Sequence, residues 1–318
     1  MPHDPRIECS NLVNFTTSRS ARCEIWFNCN LHLEKAILGH LAQCIDRYQV
    51  KLYAFALEGT HKHELALFPE CNRAHFFRDF NCAVSRAVAR LQSKFKGGAL
   101  WGRRYSNEFV PLPENIEDKF FYTVLQPVQD GLVESIDQYP GYNCFYDAVN
   151  GVVREFPIVD WARYNSDKRW KKDITVEEYT ILYELKYERL PGYEKMTQAE
   201  YAILMTEKLQ ARTAELVRER TESGKTFLGA DKLLLVKAGT PAKNPKVSTR
   251  WSFRPRFHCS CPTTKAAYLK WYYAMIDDFI DASYCYRNEP DEEADFPPGM
   301  YKPPNFTLNF QITAADLR

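Results

Sequence analysis

The sequence lacks the features that mark several common classes of protein. Its 42 Lys and Arg residues are balanced by 41 Asp and Glu residues, so a net charge of +1 indicates no partner by itself. It contains no run of about 18 apolar residues, and its N-terminus lacks the apolar segment of a secretory signal. The ten cysteines are scattered rather than arranged in a framework, which predicts buried thiols in a cytoplasmic protein.

The composition is that of a folded globular protein. Apolar residues make up 45% of the 318 residues and charged residues 26%, which excludes disordered, collagen-like and coiled-coil chains. The length favours two domains, and the sequence becomes more polar and charged from about residue 158. We therefore expect a first domain over 1–157 and a mostly helical, partly basic C-terminal extension over 158–318.

Hydrophobic periodicity in the first half predicts an α+β fold with an antiparallel sheet flanked by helices. The predicted order of elements is β-α-β-β-α-β-α, with a tight turn between the second and third strands. The predicted strands and helices alternate along the chain as strand 22–29, helix 33–48, strands 50–57 and 63–68, helix 72–95, strand 107–111 and helix 114–126. Gly97 and Gly98 are predicted to end the second helix, and Pro127 to end the third.

Two pairs of side chains suggest chemistry. His61 and His63 are two apart on a predicted strand, so both imidazoles face the same side and can bind one metal ion. The alternative is a pair of surface histidines beside a turn. Tyr122 and Gln126 are four apart on a predicted helix, so a phenol and an amide oxygen share one face. The alternative for Tyr122 is a side chain packed in the core.

Two stretches are locally basic. Residues 73–110 contain eight basic and two acidic side chains, and residues 232–256 contain seven basic side chains and no acidic one. Either stretch can contact phosphates, with interleaved aromatic rings stacking on bases, while the alternative for the first is a solvated helix face with Trp101 in the core. The predicted nucleic-acid-binding residues are Arg86, Arg90, Lys94, Trp101, Arg103, Arg104, Tyr105, Lys246, Arg250 and Arg254.

The order of three segments resembles a known family. They are FALEGTHKHELALF (55–68), LWGRRY (100–105) and FYTVLQPVQDGLV (121–133). In this order they resemble the REP-associated tyrosine transposases, which belong to the single-tyrosine branch of the HUH endonucleases. The resemblance implies that residues 1–157 form a ferredoxin-like or RRM-like HUH endonuclease core.

The resemblance also implies a mechanism. His61, His63 and Gln126 would hold Mg²⁺ or Mn²⁺, and Tyr122 would attack a phosphate of single-stranded, hairpin-containing DNA. The product would be a 5′-phosphotyrosine enzyme and a free 3′-hydroxyl, which allows rejoining without ATP. The metal, Arg103, Arg104 or Lys119 would favour the phenolate. The implied location is the nucleoid of a prokaryotic cytoplasm, with no membrane partner, and a homodimer is left open.

The His pair departs from the family pattern at two positions. Lys62 stands where the family has a hydrophobic residue, and Thr60 stands where it usually has Asn. Because Lys62 points away from the imidazoles, the opposite face of this strand is expected to be wet or to meet a phosphate. The alternative function is a domesticated relative that binds a structured DNA or RNA hairpin without cutting it.

Overall fold

The computed structural model describes residues 5–28, 30–243, 255–288 and 294–303. The chain divides into two compact units, which are Cys9–Lys265 and the combination of Met1–Glu8 with Ala266–Arg318.

A four-stranded antiparallel sheet forms the centre of the larger unit. Its strand order is β3-β4-β1-β5. The strands are β1 (Val13–Arg19), β2 (Glu24–Ile25), β3 (Lys51–Glu58), β4 (His61–Leu67), β5 (Ser106–Val110), β6 (Arg154–Val159), β7 (Thr180–Leu185) and β8 (Thr240–Pro241). The helices are α1 (Leu31–Tyr48), α2 (Arg73–Leu91), α3 (Pro113–Val124), α4 (Gln126–Gln129), α5 (Phe145–Asn150), α6 (Trp161–Asp167), α7 (Gln198–Glu222), α8 (Ala230–Leu234) and α9 (Pro262–Asn288).

Local sequence explains the helices and the hairpin that surround the site. The Asn30 side chain caps α1 by accepting a hydrogen bond from the Leu33 backbone N–H. The two-residue turn between β3 and β4 consists of Gly59 and Thr60. A Cβ atom at Gly59 would lie 3.0 Å from Cγ2 of Ile25, so glycine is favoured there by close packing.

The predicted α+β class with an antiparallel sheet is confirmed, but the first predicted strand is wrong. Residues 22–29 contain only the short strand β2, which pairs with β8. The first strand of the main sheet is β1, which lies between β4 and β5. Most side chains of β1 on both faces are buried, so its sequence, VNFTTSR, lacks the simple alternation of a strand with one wet face.

Two predicted helix ends also differ from the structure. Helix α2 ends at Leu91, before Gly97 and Gly98, because Gln92 leaves the helical conformation. The helix that begins at Pro113 ends at Val124, and a separate short helix, α4, starts at Gln126. Pro127 is accommodated in the first turn of that short helix, where its missing N–H costs little.

The predicted boundary between residues 157 and 158 lies inside β6. This strand pairs with β7, and both strands pack on α1. Gly39 of α1 permits the approach, since a Cβ atom there would lie 2.9 Å from Cδ1 of Ile158. The division into two domains at that boundary stays a prediction.

The smaller unit contains most of α9 and a proline-rich segment. Within it, the Glu8 backbone N–H donates to the Gly299 carbonyl at 2.8 Å, and the Phe279 and Phe296 ring centroids are 5.5 Å apart. Of the described helices, none is long and apolar enough to cross a membrane.

Candidate metal and nucleophile site

Strand β4 places His61 and His63 on one face, as the spacing predicts. Their ring centroids are 4.8 Å apart, and the rings are nearly perpendicular, at 83°. Both side chains are buried, with exposed fractions of 6% and 5%. The alternative of two surface histidines therefore does not describe this pair.

Each imidazole is oriented by a threonine hydroxyl. Nδ1 of His63 lies 2.8 Å from Oγ1 of Thr17, its cross-strand neighbour on β1, and Nδ1 of His61 lies 3.0 Å from Oγ1 of Thr60. Thr60 thus supports the first histidine. When Nδ1 donates to the hydroxyl, Nε2 carries the lone pair that binds metals.

Tyr122 lies beside His63. The two ring centroids are 5.7 Å apart, and the rings meet edge to face at 79°. Phe15 packs against both rings, since its ring stacks on His63 at 5.2 Å and meets Tyr122 at 5.6 Å. Tyr122 is 38% exposed, so its ring is supported by packing while part of the side chain reaches solvent.

Gln126 reaches the same site although the helix breaks before it. Its Nε2 donates to Oδ1 of Asp130 at 3.3 Å, and its side chain also hydrogen-bonds the Tyr122 phenol. Its Oε1 is buried with no hydrogen-bond partner in the described parts of the chain. The two residues predicted to share one helix therefore belong to successive helices, α3 and α4, and still meet.

Two acidic residues at this site are missing from the sequence prediction. Glu58, His61 and Asp130 each offer a ligand atom, and these atoms all lie within 4.8 Å of one another. Two signals in the sequence point to them once the fold is known. Glu58 is the register partner of His61 across the hairpin, and Asp130 follows Gln126 by one helical turn.

Burial favours the neutral forms of these groups. It lowers the pKa of His61 to about 4, with a further contribution from the positive charge of Arg19. The pKa of His63 is lowered well below its usual value, again mainly by burial. Burial and the neighbouring Asp130 raise the pKa of Glu58 well above its usual value. Both imidazoles are therefore neutral at pH 7, as metal ligation requires.

The donor atoms of this site fit a cation. Nε2 of His63, Oε1 of Glu58 and Oε1 of Gln126 are all buried, and none has a hydrogen-bond partner among the residues that the structure describes. Each is an electron-pair donor when the His63 Nδ1 carries the proton. Imidazole, carboxylate and amide oxygen are ordinary ligands of divalent ions.

The phenol of Tyr122 needs activation. Burial, followed by the charges of Asp130 and Glu108, raises its pKa above 10.0, while the hydrogen bond from Gln126 acts in the opposite direction. The Lys119 ammonium lies 5.3 Å from the Tyr122 ring centroid and forms a 2.8 Å ion pair with Glu108. Lys119, one of the three cations predicted to favour the phenolate, therefore lies against the ring.

The opposite face of β4 is dry, which corrects the expectation for Lys62. Its side chain is fully buried and forms an ion pair with Glu64. The ammonium also lies 4.5 Å from the ring centroid of Phe80 and 5.5 Å from that of Trp101. The second carboxylate oxygen of Glu64 accepts a hydrogen bond from Thr16 at 2.8 Å. Lys62 therefore does not contact solvent or reach the two imidazoles.

Nine of the ten residues predicted to bind nucleic acid divide into three groups. The first group is exposed and comprises Arg86, Arg90, Lys94, Arg103 and Arg104. Trp101 is half-buried, because its Nε1 donates to the Asn81 carbonyl at 3.0 Å and its ring lies 5.7 Å from Phe27. The third group, Lys246, Arg250 and Arg254, lies outside the described residues.

Tyr105 requires a correction. Its ring is buried, and its centroid is 4.1 Å from that of Phe77 on α2. A base has no access to this ring, so Tyr105 belongs to the core rather than to a stacking surface.

No family model matches the sequence, and no curated protein matches it significantly. Among solved structures, the chain is similar to a REP-associated tyrosine transposase bound to a REP hairpin, with a TM-score of 0.38 and 16% sequence identity. The match covers 55% of this chain and 94% of that chain.

Proposed function

We propose that this protein is a metal-dependent HUH-type endonuclease that nicks and rejoins single-stranded, hairpin-containing DNA through Tyr122. The observation that carries the proposal is the meeting of two buried imidazoles with a partly exposed phenol from another element. The ring distances are 4.8 Å between the histidines and 5.7 Å between His63 and Tyr122. Tyr122 is 59 residues from His63 in the sequence, so its meeting with the histidine pair is a property of the fold.

The proposal includes the finer description of the fold. The order β1-α1-β3-β4-α2-β5, with the sheet order β3-β4-β1-β5, supports a ferredoxin-like or RRM-like core in the REP-associated tyrosine transposase family. Residues 158–318 would act as a mostly helical extension of this core. Strand β7 is an exception within it, because it pairs with β6.

His61, His63 and Gln126 would hold Mg²⁺ or Mn²⁺. The Nε2 of His63 and the Oε1 of Gln126 are the buried, unpartnered atoms of this set in the described structure. When bound, such an ion supplies Lewis-acid polarisation of the scissile phosphate. The protein side chains supply the orientation, since Thr17 and Thr60 fix the two rings.

The covalent step would occur at the phenol oxygen of Tyr122. The phenol loses its proton and attacks phosphorus, the bond from phosphorus to the 3′ oxygen breaks, and that oxygen takes up a proton. The product is a 5′-phosphotyrosine and a free 3′-hydroxyl. Gln126 donates a hydrogen bond to the phenol, which stabilises its deprotonated form. Attack by a 3′-hydroxyl on the phosphotyrosine reverses the step and joins strands.

The exposed basic residues would hold the DNA backbone. Arg86, Arg90 and Lys94 lie on α2 or just after it, and Arg103 and Arg104 lie on the loop that leads to β5. Contacts of this kind depend strongly on salt and carry little base specificity. A nucleoid location and a homodimer remain part of the hypothesis.

The test is covalent trapping on a single-stranded hairpin oligonucleotide with Mn²⁺. Wild-type protein is expected to form a protein–DNA adduct that resists denaturation, and Tyr122→Phe is expected to form none. Tyr146→Phe is the matched control, because Tyr146 is an exposed tyrosine on α5. An adduct in the Tyr122→Phe variant would show that the nucleophile is assigned incorrectly.

A second candidate function is hairpin binding without cleavage. Without a bound cation, burial keeps the pKa of the Tyr122 phenol above its usual value, and an unactivated phenol is a poor nucleophile. In that case the oligonucleotide binds with the same affinity with or without Mn²⁺, and wild-type protein gives no adduct. Hairpin binding that is independent of Mn²⁺ and of His61 and His63 would favour this function over the first.

A further inference from the structure

Two carboxylates lie against His61, in addition to the groups used in the proposed function. Glu58 ends β3 directly opposite His61, and Asp130 follows α4. The ligand atoms of these three residues lie within 4.8 Å of one another. Ligands of one ion with bonds of about 2.1 Å are up to about 4.2 Å apart, so small side-chain rotations bring all three to bonding distance.

A second observation is that three buried side chains at this site each have one polar atom without a hydrogen-bond partner among the described residues. Glu58, His63 and Gln126 each present a buried atom without a hydrogen-bond partner in the described residues, and each side chain is at least nine-tenths buried. An unsatisfied buried polar group costs roughly 1–3 kcal/mol. All three atoms donate electron pairs when His63 is protonated on Nδ1, and a cation is the kind of group that such atoms bind.

We propose that Glu58 and Asp130 are ligands of the divalent ion that the proposed function requires. The ion would then be bound by two imidazoles, two carboxylates and one amide oxygen. This inference rests on the proposed metal site at His61 and His63 and adds two residues that the family resemblance does not supply.

The donor set determines which ion binds. Two carboxylates balance the charge of a divalent ion, which removes much of the cost of burying it. Mixed imidazole and carboxylate ligands suit a transition ion better than Mg²⁺, which prefers oxygen ligands and retains several waters. The site is therefore selective for a transition ion such as Mn²⁺ over Mg²⁺.

The experiment measures Mn²⁺ binding by the full chain, using electron paramagnetic resonance to detect the free ion. The variants are Glu58→Gln, Asp130→Asn and His61→Gln, each isosteric or nearly so. Glu134→Gln is the matched control, because Glu134 is an exposed carboxylate four residues beyond Asp130. Glu58→Gln and Asp130→Asn are each expected to weaken Mn²⁺ binding at least about tenfold. The control is expected to bind as the wild type does.

A variant that is expected to gain affinity for a metal ion distinguishes the loss of a ligand from the loss of folding. Asp130 is exposed, so Asp130→Cys is tolerated by the fold and is expected to bind Cd²⁺ more tightly than wild type does. No gain in Cd²⁺ affinity would count against a ligand at this position.

The outcomes separate this inference from the proposed function. If Glu58→Gln and Asp130→Asn bind Mn²⁺ as wild type does while His61→Gln does not, the carboxylates only share a proton, and this inference fails alone. If wild-type protein binds no Mn²⁺, the proposed metal site and this inference fail together. If metal binding follows the prediction but Tyr122→Phe still forms the DNA adduct, the assignment of the nucleophile fails alone.

Discussion

Strand β4 buries polar side chains on both of its faces, and the two faces differ in whether these side chains have bonding partners. On one face, the carboxylate and ammonium of Glu64 and Lys62 form an ion pair, and Thr16 satisfies the remaining carboxylate oxygen. On the other face, threonine hydroxyls bond Nδ1 of His61 and of His63, and Nε2 of His63 has no partner within the described chain. Both faces belong to the same strand, so the backbone does not account for the difference.

This difference in bonding partners separates polar groups with a structural role from polar groups that can bind a ligand. A buried charge is tolerated when its partners are built into the protein, as for Lys62. A buried acceptor without a partner reduces stability unless something else supplies one. We call the face with His61 and His63 the unsatisfied face of β4 and the face with Lys62 and Glu64 the satisfied face. The unsatisfied face also meets Tyr122, so the loss of stability falls at the proposed site of catalysis.

The largest expected effect is on the satisfied face. Lys62→Ala leaves the Glu64 carboxylate buried without its cation, and we expect the free energy of unfolding to fall by about 3–5 kcal/mol. Urea unfolding of the metal-free protein, followed by circular dichroism, measures the change.

The double variant Lys62→Met with Glu64→Gln is the control, because it removes both charges and keeps the volume. It is expected to recover most of the lost stability. A Lys62→Ala variant as stable as wild type would show that the two faces of β4 do not differ in this way.

The second-largest expected effect is a dependence of the free energy of unfolding on pH, caused by His61 on the unsatisfied face. The pKa of His61 is about 4 in the folded protein and 6.5 in the unfolded chain, so the unfolded chain binds more protons between these values. Stability from this group is complete above pH 6.5 and is lost as the pH falls, by about 3 kcal/mol at pH 4. Urea unfolding in the presence of a chelator, at several pH values, measures it.

His61→Gln isolates this contribution, because Glu58, whose pKa is raised, titrates with the opposite sign. The loss of stability from pH 7 to pH 4 is expected to be about 3 kcal/mol smaller in the variant than in wild type. Equal losses in the two proteins would contradict a neutral, buried His61.

A smaller effect of opposite sign is expected at Glu58. Burial raises its pKa, so the ionised side chain is disfavoured at pH 7, and Glu58→Gln is expected to raise the metal-free free energy of unfolding by about 1 kcal/mol. Thermal unfolding with chelator measures the shift. If instead the variant is less stable without metal, Glu58 has a structural role like that of Glu64.

The smallest effect is expected at Lys119, where the unsatisfied face meets solvent. Its ammonium lies 4.4 Å from the ring centroid of Phe15 and pairs with Glu108. Lys119→Gln is expected to cost about 0.5 kcal/mol of stability, measured by urea unfolding. A cost as large as that of Lys62→Ala would show that the boundary between the faces lies elsewhere.

Sequence periodicity predicted the elements that carry the site better than it predicted their partners. The hairpin with His61 and His63 follows from strand period and turn chemistry, and α1 and α2 follow from apolar stripes. Strand β1 was not predicted, because its two faces are both largely buried and its pattern does not alternate.

The candidate site shows the same limit. The histidine pair is visible because both residues lie on one strand, whereas Glu58 and Asp130 join it through cross-strand register and the packing of α4. Tyr105 was wrongly included among the nucleic-acid-binding residues. An aromatic residue between basic ones has the same sequence pattern whether it faces a base or the core. Tertiary packing decides these cases, and local sequence does not encode it.

The edges of the main sheet have a consequence for assembly. On β3, the Leu52 carbonyl accepts a hydrogen bond from Glu188, and Ala56 forms a bridge with Asn143. On β5, Phe109 exchanges backbone hydrogen bonds with the segment around Phe257. A second copy that extended this sheet would first have to displace one of these segments, so self-association by strand addition is opposed from both sides.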